Sequence, residues 1–169
     1  MKPKIKNLNV LGVDPGLATT GYAFVKETKP EFTVLEYGTI STPAKMDFSE
    51  RLKNIHQDLD LLIKKLKPDV IVVENIYFAK NAKTALQVGQ ARGVILLTAI
   101  LHKLPLYEFT PLQVKLAVCG YGQADKCQVQ KMVKNILKLK EIPKPDDAAD
   151  AIAIALTYLQ SKNYINKAQ

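Results

Sequence analysis

Asp14, Glu74 and the cluster Asp146-Asp147-Ala148-Ala149-Asp150 are the residues of this chain whose types and positions could do chemistry. Asp14 closes the segment Leu8-Asn9-Val10-Leu11-Gly12-Val13, and Glu74 closes Val70-Ile71-Val72-Val73. The aspartate cluster opens the run Ala151-Ile152-Ala153-Ile154-Ala155-Leu156. A segment that buries itself rarely ends in a carboxylate without a use for it, because an unpaired buried charge is costly. Brought together, three such ends make an oxygen-ligand site for hard divalent cations. Within the cluster, Asp147 and Asp150 are three apart and Asp146 and Asp150 are four apart. Either pair shares a helix face, so spacing leaves the choice open. Taken singly, each piece has a plainer explanation. Asp14-Pro15-Gly16 is good turn chemistry, Glu74 can be a charged strand end, and acids in a first helical turn complement the helix dipole. Those explanations do not cover all three sitting at one edge of a sheet. Grouped carboxylates raise one another's pKa unless a cation neutralises them.

The 169-residue chain carries a net charge of +8, with a pI near 9.4. An anionic partner is expected, nucleic acid first, although a lysine-rich proteome would give the same balance. Acids at one site in a basic chain point to metal-dependent chemistry on a polyanion. The length suits one domain over residues 1–169, with a basic lead at 1–7 and a frayed polar tail at about 161–169. Cys119 and Cys127 match no zinc spacing, and His56 and His102 supply no paired ligand pattern. No apolar run is long enough to span a bilayer and no signal-type core is present, so no membrane association and a cytoplasmic location are expected.

The elements that must position the acids read in the order βββαβαβααα. Residues 8–14, 20–26 and 32–40 are expected strands forming an antiparallel meander, with a turn around Lys29-Pro30-Glu31. Leu52, Ile55, Leu59, Leu62, Ile63 and Leu66 have a helical period over 49–66, with Ser49 as a plausible N-cap. Val70 to Val73 and Leu106 to Phe109 are short strands, and 81–103 is a long helix with Asn81 as a possible cap. Thr110-Pro111 starts another helix, 125–139 repeats the helical period, and Pro143 and Pro145 precede a final helix over roughly 146–160. The expected fold is α/β, a five-stranded mixed sheet of three antiparallel strands then two parallel, with helices on both faces. In such sheets ligands gather at the carboxyl ends of central parallel strands, where Asp14 and Glu74 lie.

Five stretches carry a resemblance. They are Leu-Gly-Val-Asp14-Pro-Gly-Leu-Ala-Thr-Thr-Gly-Tyr; Val-Glu74-Asn-Ile-Tyr77-Phe78-Ala-Lys80-Asn81 followed by Gly89-Gln-Ala-Arg92-Gly; Gln113-Val-Lys115; Ala-Asp-Lys126-Cys-Gln-Val-Gln130; and Asp147-Ala-Ala-Asp150-Ala-Ile-Ala-Ile-Ala. In this order, over about residues 8–158, they resemble the RuvC family of bacterial Holliday junction resolvases, which have a ribonuclease H-like fold. The resemblance implies a crossover junction endodeoxyribonuclease acting by paired, symmetric, metal-dependent nicks in DNA recombination and repair. Asp14, Glu74, Asp147 and Asp150 match the family's four metal-binding catalytic acids, which selects Asp147 over Asp146. Two Mg2+ ions per subunit, replaceable by Mn2+, are implied, with Asp14 bridging them. Lys115 and Lys126 match basic residues that hold DNA near the cut, and Lys80 and Arg92 fall in the same motifs as DNA contacts. Tyr77 stands where the family commonly has a phenylalanine that stacks in the junction, and Phe78 beside it is a substitute. The alternative for both rings is core packing. The implied partners are a four-way DNA junction, a second copy of the chain in a homodimer, and the RuvA–RuvB branch-migration complex, at the nucleoid when DNA is bound.

Three rivals share parts of this pattern. A catalytically silent or RNA-processing relative on the same fold would lack part of the acid set, whereas all four positions are filled here. A sugar-kinase or actin-type ATPase has a phosphate-binding turn resembling Asp14-Pro15-Gly16 to Gly21, but needs a second similar domain to close over its nucleotide. A non-catalytic junction-binding protein would show the same basic surface and would not nick.

Overall fold

Alternation of apolar residues over the first forty positions produces a three-stranded meander in the computed structural model, which describes residues 7–75 and 82–168. Its strands are β1 (Asn9–Asp14), β2 (Thr19–Thr28) and β3 (Glu31–Ser41). Then come α1 (Phe48–Leu66), β4 (Val70–Glu74), α2 (Ala82–Leu101), β5 (Leu106–Phe109), α3 (Pro111–Cys119), α4 (Lys126–Ile136) and α5 (Asp146–Ala168). The sheet order is β3-β2-β1-β4-β5. β1 pairs antiparallel with β2 and parallel with β4, and β4 pairs parallel with β5. This is the expected mixed sheet, and β1 and β4 read as near-continuous apolar runs because helices cover both faces.

One face carries α3, α4 and α5, packed through Val10, Val70, Val72, Val114, Val133 and Ile152. The other carries α1 and α2, packed through Leu11, Ile71, Val73, Ile55, Leu59 and Ile95. Alternate residues of β1 and β4 thus serve opposite cores, as the pleat requires. Thr110 caps α3 with a reciprocal capping box to Gln113, and Asp125 does the same for α4 with Gln128. Among the described residues, no helix is long and apolar enough to cross a membrane.

Two expectations need correction. α1 begins at Phe48 with Asp47, not Ser49, at the N-cap position, and no side-chain cap bond forms there. α5 does not stop near 160 but runs to Ala168. Its extension has a physical anchor: Lys162 is buried and its Nζ donates to Glu27 Oε2 of β2, itself buried. Two sequence-distant charges that satisfy each other leave no trace in apolar periodicity. Replacing Lys162 with Ala is expected to cost about 3–5 kcal/mol, because it strands a buried carboxylate. A Glu27→Gln/Lys162→Met double variant should recover much of that loss in urea denaturation.

Candidate active site

Asp14 and Glu74 end two adjacent parallel strands whose register aligns Val13 with Val73. The next residue of each strand is a carboxylate, and the two lie close enough to shift each other's ionisation. α5 delivers the remaining acids because it lies unusually close to the sheet. A Cβ at Gly21, the register partner of Asp14, would sit under 3.0 Å from the carbonyl oxygen of Asp147. A Cβ at Gly12 would likewise overlap the carbonyl oxygen of Ala151 and lie 2.9 Å from the Cβ of Ala155. Glycine on the strands and alanine on the helix (Ala148, Ala151 and Ala155 are all buried) permit this approach. The first turn of α5 is thereby set beside Asp14. Glycine inside a strand is a readable sign of close backbone approach, and it was the signal available for this feature.

The electrostatics follow from that crowding. Burial, then the charges of Glu74, Asp150 and Asp147, push Asp14 from an ordinary value of 3.8 up to about 8, with Lys126 pulling weakly the other way. Burial and then Asp150 raise Glu74, opposed by the neighbouring Asp14 carboxyl and by Lys115 and Lys126. Burial also raises Asp150, although Lys126 offsets part of that. Asp147 rather than Asp146 acts on Asp14. Asp146 is exposed and accepts a hydrogen bond from Gln130 Nε2 at 3.1 Å.

A cluster of half-buried carboxylates with one lysine has the chemistry of a divalent-cation site. It wants positive charge and offers only hard oxygen donors. In their present positions, no three acidic, histidine or cysteine side chains among the described residues converge closely enough to hold an ion. Lys126 is paired with two of the acids: its Nζ lies 2.9 Å from Asp150 Oδ2 and 3.6 Å from Asp146 Oδ2. Burial works against the charge of Lys126, but the hydrogen bond to Asp150 and the surrounding aspartates outweigh it and raise its pKa. A lysine ammonium thus stands where cationic charge is required. The donor set is hard oxygen throughout and fits hard cations.

Lys115 of α3 and Lys126 of α4 line one cavity with Glu74 and Asp150, about 210 Å³ in volume. The fold therefore brings both lysines to the acids. Arg92 of α2 is instead in an ion pair with Glu108 of β5. Tyr77, Phe78, Lys80 and the possible cap Asn81 lie outside the described residues. The direct Lys126–Asp150 contact was not legible in the sequence, where Lys126 is one lysine among many.

Residues 10–158 match the family described as Crossover junction endodeoxyribonuclease RuvC. The proteins of that name from Halothermothrix orenii and Caldicellulosiruptor saccharolyticus are similar to this chain. The first is 55% identical over 149 residues, covering 88% of this chain and 90% of the relative. The second is 48% identical over 159 residues, covering 94% and 96%. Among solved structures, Thermus thermophilus RuvC in complex with Holliday junction substrate superposes with a TM-score of 0.88 at 34% identity, covering 93% of this chain and 96% of that one. A family match over residues 10–158 and relatives about half identical along nearly the whole chain lead to one assignment: the chain belongs to the RuvC family of crossover junction endodeoxyribonucleases.

Proposed function

We propose that this crossover junction endodeoxyribonuclease resolves four-way DNA junctions by two opposed nicks, with Asp14, Glu74, Asp147 and Asp150 holding two Mg2+ ions per protomer. Mn2+ should substitute, since both ions accept the same hard oxygen donors. The observation that carries this reading is the convergence of β1, β4 and α5 on Asp14, whose pKa is pushed up to about 8 by burial and then by the charges of Glu74, Asp150 and Asp147. When bound, the ions supply activation of water near neutral pH and charge stabilisation of the leaving oxygen. The chain's own residues do the rest. Lys115 and Lys126 face the same cavity as Glu74 and Asp150 and hold the backbone of the strand to be cut. Lys126 exchanges Asp150 for a DNA phosphate as the acids close. The test is incubation of the purified protein with a synthetic four-way junction, a linear duplex and an RNA–DNA hybrid, with and without Mg2+. Paired nicks on the junction alone support the reading; equal cutting of the hybrid would favour an RNA-processing relative, and binding without nicks a non-catalytic one.

Asp14 gives this reading a pH signature. The folded protein binds its proton more tightly than the unfolded chain does, so this stabilisation is complete below about 4 and is lost as pH rises through about 8. Metal-free protein is therefore expected to lose about 1–3 kcal/mol across that window, less than an isolated group would give because the acids titrate together. Mg2+ should restore stability at the alkaline end. Thermal melts with and without Mg2+ at pH 5 and 8 check both signs; a metal-free protein more stable at pH 8 would contradict them.

Two opposed nicks call for two sites, and a homodimer supplies them with the symmetry of the junction. α2 offers the face for it: Leu86, Leu97 and Ile100 are 65%, 58% and 59% exposed. Gly89 and Gly93 sit between them in three- and four-residue steps, with open space where a Cβ would project. Leu97→Glu is expected to give a monomer by sedimentation, one that nicks junctions singly instead of in pairs. Cooperation with the RuvA–RuvB complex at the bacterial nucleoid, in the cytoplasm, completes the proposal on family grounds.

A further inference from the structure

The segment between α4 and α5 carries charge that the acid site does not use. Lys140, Glu141 and Lys144 of this segment, with Leu139 and Ile142, face Tyr37 of β3 across a groove of about 410 Å³. β3 is an edge strand, and Tyr37 is 40% exposed. Lys140 and Lys144 are exposed, and neither makes an ion pair among the described residues. Their neighbour Lys138 differs, being paired with Glu31 at the start of β3. Two free ammonium groups against the single carboxylate of Glu141 leave the groove cationic.

Its position ties it to the cut. The segment runs directly into Asp146 and Asp147 at the start of α5. Across the sheet, Tyr37 pairs with Ala23 and Ala23 with Gly12, so Tyr37 lies two strands from β1 and two residues back from Asp14. Strand spacing and rise make that about 12 Å from Asp14 in the plane of the sheet. Backbone phosphates of one strand rise about 3.4 Å each along the duplex axis while winding around it, so the groove lies within a few phosphates of a strand cut at Asp14. Lys115 and Lys126 reach the acids from α3 and α4. DNA held by those two lysines alone would be gripped only at the cut.

We propose that Tyr37, Lys140 and Lys144 form a second contact for the DNA backbone, gripping the arm that flanks the cut and fixing its direction across the acid site. The contact rests on the reading of this chain as a junction nuclease. The lysines neutralise phosphates, and the exposed ring of Tyr37 gives the sugar a surface to lie on. Because the groove lies away from the reacting phosphate, it acts on binding and register, and the chemical step proceeds unaided by it.

The experiment uses the full chain with Lys140→Gln/Lys144→Gln, and Lys67→Gln/Lys103→Gln as a charge-matched control. Lys67 and Lys103 are exposed and precede β4 and β5, at the sheet edge opposite the acids. Junction affinity is measured in EDTA across a salt series, and backbone protection by hydroxyl-radical footprinting. Removing two phosphate contacts should lower the slope of log affinity against log salt by about 1.8 and weaken binding about tenfold near 0.15 M salt. Protection a few phosphates from the cut should disappear, and the single-turnover cleavage rate at saturating protein should stay within about twofold of the parent. The control pair should leave slope and footprint unchanged. An unchanged slope, or an equal drop from the control pair, overturns the proposal while leaving the nuclease reading intact. If the parent protein fails to nick junctions, the nuclease reading itself fails.

Discussion

Asp14→Asn is expected to abolish Mg2+-dependent cleavage, by at least about 10³-fold, while leaving junction binding in EDTA within about twofold of the parent. The first effect follows from position. Asp14 is the acid on which the charges of Glu74, Asp150 and Asp147 all act, so it sits at the centre of the donor set. Removing a preorganised charge at a reacting centre typically costs two to three orders of magnitude, and on the proposed reading the ions Asp14 would hold go with it. The second effect follows because junction shape is read by phosphate contacts from lysines, none of which depends on Asp14 for its place. Lys126 is held by Asp150 and Asp146. A third readout separates this account from a folding defect. Asparagine cannot repel Glu74, so the metal-free variant should melt at a higher temperature than the parent at pH 8, and the gap should shrink as pH falls toward 5. A variant that cuts normally, or that melts lower at pH 8, would remove Asp14 from the centre of the site.

How much of this arrangement could be read before the fold was known depends on the range of the forces involved. Apolar patterning and the carboxylates that end it are local, so β1, β4 and the start of α5 were legible, as was the parallel neighbourhood of Asp14 and Glu74. Thr110 followed by Pro111 and then Gln113 is likewise a local signal, and α3 starts there with the full capping box. Long-range electrostatics were not legible. Nothing in the local sequence says that Lys162 crosses to Glu27, that Arg92 pairs with Glu108, or that Lys126 among so many lysines is the one bonded to Asp150. The choice between Asp146 and Asp147 shows the same boundary. Helical spacing permits both, whereas the packed helix turns Asp147 toward Asp14 and leaves Asp146 exposed beside Gln130. Ser49 is not the cap because α1 already begins at Phe48, which puts Asp47 at the N-cap position and Ser49 inside the first turn.

Gly21→Ala is expected to cut the cleavage rate by about 10²-fold while the protein remains folded and able to bind junctions. The added methyl would sit under 3.0 Å from the carbonyl oxygen of Asp147 and 3.2 Å from its Cβ. Both the strand and the first turn of α5 are backbone there, so neither can yield by a rotamer change, and the helix start must move away from β2. Asp147 and Asp150 then retreat from Asp14 by on the order of 1 Å, a displacement that commonly costs about 10²-fold in rate. Overpacking of this kind costs about 1–3 kcal/mol of stability, which a domain of this size can survive. Gly12→Ala makes the contrast. Its methyl meets Ala151 and Ala155, one to two turns further along α5, so it presses the same helix away from the sheet farther from the acids. Its loss should appear more in urea denaturation than in catalysis. Measuring both variants for single-turnover cleavage, junction affinity and unfolding midpoint separates the two effects. If Gly21→Ala cleaves as fast as the parent, the close seating of α5 on β2 is not what sets the acids, and their alignment must come from the bound ions alone.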